Sequence, residues 1–175
     1  MNESLVLTLV GPDKPGLVEQ VSQALVGYDA NWEQSSMSRL GGCFAGILKI
    51  RVASRLRDEL VETLNQLETQ GLKVVIESGL DGERTEPTEP GVTLALSLIG
   101  HDEPALLSRA LSALRAEGIN VEQLDTAVSS APMSAEMIFK ASADLWAPQA
   151  VDLDTLQSRL ETLAPNLIVE IAEAG

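Results

Sequence analysis

Apolar and polar positions along the chain change period several times, and each change marks an element. The run Leu5–Val10 is largely apolar, interrupted by Thr8, and predicts a short buried strand. Gly11, Asp13 and Pro15 break it. Leu17, Val18, Val21, Ala24 and Leu25 then recur at helical spacing, with Pro15 suited to a first helical turn because its missing N–H costs nothing there. Tyr28–Ala30 reads as a turn. Residues 31–38 and 43–52 read as two strands around Leu40-Gly41-Gly42, a hairpin signal. A second helix is predicted over 55–69, with Leu56, Leu60, Leu64 and Leu67 on one face and Gly71 as its stop. Leu72–Ser78 closes the series as a strand. The order is βαββαβ.

The same order returns further along. Residues 5–34 and 94–123 align at a fixed shift of 89 without a gap, and 12 of the 30 positions are identical. Periodicity alone reproduces leucines. It does not reproduce Gly11/Gly100, Asp13/Asp102, Pro15/Pro104, Asn31/Asn120, Glu33/Glu122 and Gln34/Gln123. The pattern is that of a duplicated unit. The second copy is expected to carry strands at 92–99, 119–129, 134–143 and 167–172, and helices at 104–117 and 150–163. Its second helix aligns at a shift of 96, so the copy has seven extra residues. The turn Ser129–Pro132 and the connection 145–152 are the expected places. Between the copies, DGERTEPTEPG has linker composition. The expected organisation is a first domain at 1–79, a linker at 80–91 and a second domain at 92–175. A βαββαβ unit closes as a ferredoxin-like sandwich, four antiparallel strands with two helices on one face. The fold class is therefore α+β, two such sandwiches in tandem.

Composition narrows the function. The chain has 175 residues, 45% of them hydrophobic, enough for a packed core. It carries 26 acids against 12 bases, a net charge of -14. Nucleic-acid binding relies on basic patches that displace counterions, and direct binding to anionic membranes relies on the same feature. Neither is expected. The charge is uneven: net -3 over 1–79, -3 over 80–91 and -8 over 92–175. An acidic second copy suits either a basic protein partner or plain solubility. One cysteine, Cys43, suits a reducing compartment, and neither a leader nor a membrane-spanning run is evident, so a cytoplasmic protein is expected. One histidine, His101, gives no His-rich metal site. No nucleophile–base pair, phosphate loop or metal-ligand spacing is evident, so the expectation is no enzyme, no cofactor and no metal. Cys43 reads as a small buried apolar residue and His101 as a solvated loop residue. Trp32 and Trp146 read as packing or interface residues. Asp152 and Asp154 fit helix capping.

The informative loop is Gly11-Pro12-Asp13-Lys14-Pro15-Gly16-Leu17. Glycines permit close backbone approach, a helix N-terminus offers free N–H groups to a carboxylate, and Asp13 can take an ammonium. Asn31, at the start of the next strand, offers a donor and an acceptor. Together these suit a free α-amino acid. Turn and capping chemistry accounts for the same residues without any ligand.

The segment Gly11–Val18, followed by Ala30–Gln34, resembles an ACT domain, and the resemblance covers both halves. It implies a regulatory module of amino-acid metabolism whose effector binds near this loop, often between two modules. Two such modules without a catalytic domain resemble the glycine cleavage system transcriptional repressor family, and Glu33–Phe44 fits that family's strand–loop–strand pattern. The resemblance implies a transcriptional corepressor acting through a protein partner such as a transcription factor. An amino-acid-sensing subunit of a metabolic enzyme is the alternative. By position, the effector-site candidates are Gly11, Asp13, Pro15, Gly16, Leu17 and Asn31 in the first copy, and Asp102, Pro104, Leu106 and Asn120 in the second. Ala105 and Glu103 replace Gly16 and Lys14, so the first copy is expected to be the better site. A small effector such as glycine, and a homo-oligomer such as a dimer, are implied.

Overall fold

In the computed structural model, residues 1–79, 91–131 and 136–174 are described. They fall into two compact units. The first holds β1 (Asn2–Pro12), α1 (Leu17–Gly27), β2 (Asn31–Leu40), β3 (Cys43–Ala53), α2 (Arg57–Gln66) and β4 (Lys73–Ser78). The second holds β5 (Val92–His101), α3 (Leu106–Ala116), β6 (Asn120–Ser130), β7 (Met137–Ala147), α4 (Leu153–Glu161) and β8 (Ile168–Glu173). Each is a four-stranded antiparallel sheet, ordered β2-β3-β1-β4 and β6-β7-β5-β8. The expected α+β fold of two ferredoxin-like sandwiches in tandem is what the chain adopts. The linker expected at 80–91 lies, up to residue 90, outside the described residues.

The period-two strands and period-3.6 helices meet in one core per unit. Leu5, Leu7 and Leu9 of β1 and Leu48, Ile50 and Val52 of β3 face Leu17, Val21 and Leu25 of α1 and Leu60 and Leu64 of α2. In the second unit Leu94, Leu96 and Leu98 face Leu106, Ala110 and Leu114 of α3 and Leu156 and Leu160 of α4. Burying each leucine side chain stabilises its unit by roughly 2 kcal/mol before ordering costs. Units of this size need most of that burial to fold. The second core uses smaller residues on its central strand, Ala141, Ala143 and Ala147, and leaves an apolar cleft between α3 and β6 lined by Leu107, Leu111 and Leu124.

The repeat extends to irregular features. Both edge strands shift register at the equivalent residue, between Trp32 and Gln34 and between Val121 and Gln123, a β-bulge at Glu33 and Glu122. Insertions account for the longer second copy. Phe44 and Phe139, which pair with the equivalent Gly11 and Gly100, are 95 apart; Leu60 and Leu156, on the second helices, are 96 apart. Six of the seven extra residues thus fall in the β6–β7 connection and one between β7 and α4, where they were expected. The extra residues in the hairpin displace β7 from the expected 134–143 to 137–147. The turn expected at Ser129–Pro132 begins later, because Ser129 and Ser130 still pair as strand, with Ile138 and Met137; Pro132 lies outside the described residues.

Candidate functional site

β1 and β5 each run into a loop that turns the chain onto the helix face. Asp13 N–H donates to the Gly42 carbonyl at 3.0 Å, and Asp102 N–H to the Met137 carbonyl at 2.9 Å, so the β2–β3 and β6–β7 hairpins support the two loops. α1 starts at Leu17, two residues beyond Pro15, not at the proline as expected. Gly16 is its N-cap, and at φ 91 it lies in the left-handed region and cannot be helical. No side chain caps α1. Its first-turn N–H groups have no helical acceptor and carry the positive end of the helix dipole. The second loop repeats this conformation with Ala105 at φ 64, a strained setting for a residue with a Cβ.

The candidate residues divide by role. Leu17 and Leu106 are buried core residues. Gly11 also serves packing: a Cβ there would lie 3.1 Å from the Gly71 carbonyl oxygen and 3.2 Å from Leu72 Cδ1. Gly16 is required by conformation alone, since a Cβ there meets nothing within 4 Å. Pro15, Pro104 and Asp102 are exposed on the loops. Asp13 accepts a hydrogen bond from Arg39 Nη1 at 3.0 Å, at the tip of β2.

Asn31 and Asn120 sit elsewhere. Asn31 is in register with Arg51, and Arg51 with Ser4, near the start of β1. Asn120 is in register with Trp146, and Trp146 with Thr93. The loops leave the opposite ends of the sheets. Seven strand residues, roughly 23 Å, separate Ser4 from Gly11. Strands 1 and 2 are consecutive in this alphabet of elements, but β3 lies between them in the sheet. Within one unit the asparagine and the loop do not share a ligand-sized site.

Arg39 is the residue that sequence reasoning missed. The signal for it was present. Gly41 and Gly42, at φ 59 and 79, make a two-residue hairpin turn that only glycine-like residues accept readily. That turn fixes the register Arg39–Phe44, and Phe44 pairs with Gly11. The second copy has Val128 in the position of Arg39, in register with Phe139. Its Glu103, where the first copy has Lys14, is engaged by Arg109 at 3.4 Å. The first loop therefore presents one anion and two cations, and the second presents two anions and the Arg109 that pairs with Glu103.

Three further side chains settle differently from expectation, or as expected. Cys43 is exposed at the first position of β3, not buried, because it follows the hairpin turn on the sheet face away from the helices. His101 is the last residue of β5, with Nδ1 3.9 Å from Glu136. Asp152 caps α4: its carboxylate accepts from Thr155 Oγ1 at 2.7 Å and Thr155 N–H at 3.2 Å, and these bonds hold its pKa below the ordinary value of 3.8. Among the described residues there is no group of three or more His, Cys, Asp or Glu placed to hold a metal ion, and no helix long and apolar enough to cross a membrane.

This arrangement of a βαββαβ unit with a bare helix N-terminus at its first loop defines a class. Residues 3–77 match the ACT domain family model, and the second unit repeats the same topology, so the chain is a tandem of ACT-like modules. Two solved structures match it over its whole length. One is a protein of unknown function from Galdieria sulphuraria, 22% identical, covering 100% of both chains with a TM-score of 0.86. The other is a candidate glycine cleavage system transcriptional repressor, 18% identical, covering 99% of this chain and 98% of that one with a TM-score of 0.72. At these identities the likeness is one of fold. No curated protein matches the chain by sequence.

Proposed function

We propose that the chain is a non-enzymatic, amino-acid-responsive regulatory protein, a corepressor of glycine cleavage type that works through a protein partner and not by touching DNA. The observation that carries the reading is the Asp13–Arg39 pair beside the uncapped N-terminus of α1. A small zwitterion needs an anion for its ammonium and a cation or N–H groups for its carboxylate. The pair supplies both charges. It is exposed, and an exposed ion pair contributes about 0–1 kcal/mol, so opening it for a ligand costs little. Glycine or another small amino acid suits a loop whose Asp13, Lys14, Pro15 and Gly16 are all exposed. Asn31 and Asn120, at the far ends of their sheets, lie outside this loop site. Ligand binding would shift the balance between two module arrangements, and a partner such as a transcription factor would read the shift.

Calorimetry against the twenty amino acids tests this. One small amino acid is expected to bind. Asp13→Asn and Arg39→Ala should each weaken it by about 10- to 100-fold, the worth of a charge-assisted hydrogen bond. Asp102→Asn should leave it unchanged. Binding lost with Asp102→Asn but kept with Asp13→Asn would refute the assignment to the first loop. The alternative, a sensing subunit of a metabolic enzyme, is separated by identifying what the protein captures once the ligand is known.

A further inference from the structure

The two cores are filled differently at matched register positions. In the first unit Leu48 lies opposite Ser35, and Met37 lies across Gly46, close enough to leave no room for a Cβ there. Leu7, Leu9 and Leu48 are then fully buried. In the second unit the same positions hold Ala143 opposite Leu124 and Ala141 opposite Thr126. The side chains that fill the first core are cut back, and Leu124 makes up part of the loss from the edge strand. Leu96, Ala141 and Ala143 keep 5–7% exposure, so the cleft between α3 and β6 reaches the strands beneath it.

The cleft holds a cavity of about 10 Å³, room for one water. Its lining is aliphatic, from Leu96, Leu98 and Ala143 at the floor to Leu107, Leu111 and Leu124 at the rim. A buried water needs two or more polar partners, so such a cavity stays dry and accepts apolar atoms. Leu124 is 38% exposed on its edge strand and has solvent to turn into. A guest that displaces it gains the volume of a leucine side chain, and apolar exchanges that conserve volume are well tolerated.

The mouth of the cleft carries a charge. Arg115 lies one turn beyond Leu111 on α3, and long helical side chains lean back over the preceding turn, here toward that leucine. Arg109 pairs with Glu103 and Arg159 with Glu117, whereas Arg115 has no ion pair among the described residues. It stands unpaired in the half of the chain whose net charge is -8. The first unit has Val26 in its place. α3 itself contains no acid, and neither do the β6 residues on this face, Leu124, Thr126 and Val128. A carboxylate therefore finds a partner at the mouth, and an ammonium does not.

We propose that this cleft is a second ligand site, separate from the first loop, for a small carboxylic acid with a branched aliphatic tail and no ammonium group. The tail takes the space beside Leu107 and Leu111 that Leu124 vacates, and the carboxylate lies on Arg115.

Calorimetry on the full chain with isocaproate tests it, against isocaproamide, which lacks the charge, and leucine, which is isocaproate with an added ammonium. Shifts of the Ala141 and Ala143 methyl resonances assign binding to the cleft. Isocaproate is expected to bind there, and the other two about tenfold more weakly or not at all. Ala143→Leu combined with Leu124→Ser reproduces the Leu48 and Ser35 arrangement of the first unit. That exchange should abolish binding in a chain that circular dichroism shows to be folded. Arg115→Gln should weaken isocaproate about tenfold and leave the amide where it was. Failure of isocaproate to bind, as when another part of the chain or a second copy fills the cleft, would overturn the proposal. So would unchanged binding after the Ala143→Leu and Leu124→Ser exchange or after Arg115→Gln, or leucine held in the cleft as tightly as isocaproate.

Discussion

Single residues decide how well the two loops hold their shape. Gly16 and Ala105 occupy equivalent N-cap positions at φ 91 and 64. The alanine bears the left-handed penalty, and the glycine does not. Ala105→Gly should therefore stabilise the second module by about 0.5–1 kcal/mol, once the extra freedom of an unfolded glycine is counted, and Gly16→Ala should destabilise the first by a similar amount. Denaturant midpoints at constant m-value measure both, and opposite signs are the expected result. Asp152 gives a pH effect. Its carboxylate accepts two hydrogen bonds from Thr155, and its folded pKa lies below the ordinary 3.8. The lowered pKa makes its contribution fully present above about pH 4 and progressively lost as acid protonates the folded carboxylate. In Asp152→Asn the amide still caps α4, but this part of the acid dependence should vanish, which thermal melts between neutral and acidic pH will show. The capping role was readable in the sequence because cap and donor are three residues apart. The partnership of Asp13 with Arg39 was not, because its partners are 26 residues apart and meet only through a strand register.

Elements set which of those residues can meet. The order βαββαβ was legible from periodicity, and the repeat strengthened it by giving each element a second reading. What periodicity lacks is lateral order. A strand's pattern shows which face is buried and not which strand lies beside it, so Asn31 seemed adjacent to the loop until β3 was found between β1 and β2. Element ends moved for local reasons. Gly16 delays α1 to Leu17, and Asp152 starts α4 at Leu153, inside the broader span 150–163. The β2–β3 hairpin is the element on which the first site depends. Gly41 and Gly42 both have positive φ, and the Gly42 carbonyl holds Asp13. Gly42→Ala should cost about 1 kcal/mol of stability from the turn conformation. It should also weaken amino-acid binding beyond that loss, because Arg39 and the Asp13 loop are positioned by the same turn. Comparing its binding constant with that of Gly16→Ala separates positioning from general destabilisation.

The whole molecule uses one fold twice, and at the first loop of each copy the two differ by a few charges and one glycine. The first loop keeps Gly16, Lys14 and Arg39, whereas the second has Ala105, Glu103 and Val128 in their places. On the proposed reading the first unit suits a zwitterion, while the second keeps the architecture with Arg109 paired to Glu103. The chain's two tryptophans fall one in each unit, Trp32 on β2 packed against the first core and Trp146 on β7. Trp32→Phe and Trp146→Phe therefore give chains whose fluorescence reports one module each. An effector that binds only the folded first module stabilises it by RT ln(1 + [L]/Kd), about 2.7 kcal/mol at a hundredfold excess over Kd. For a module of this size that corresponds to a rise of roughly 10–20 °C in melting temperature. The shift is expected in the chain that retains Trp32. The chain that retains Trp146 should move only as far as the two modules unfold together, and a full shift there with none at Trp32 would place the effector on the second module instead.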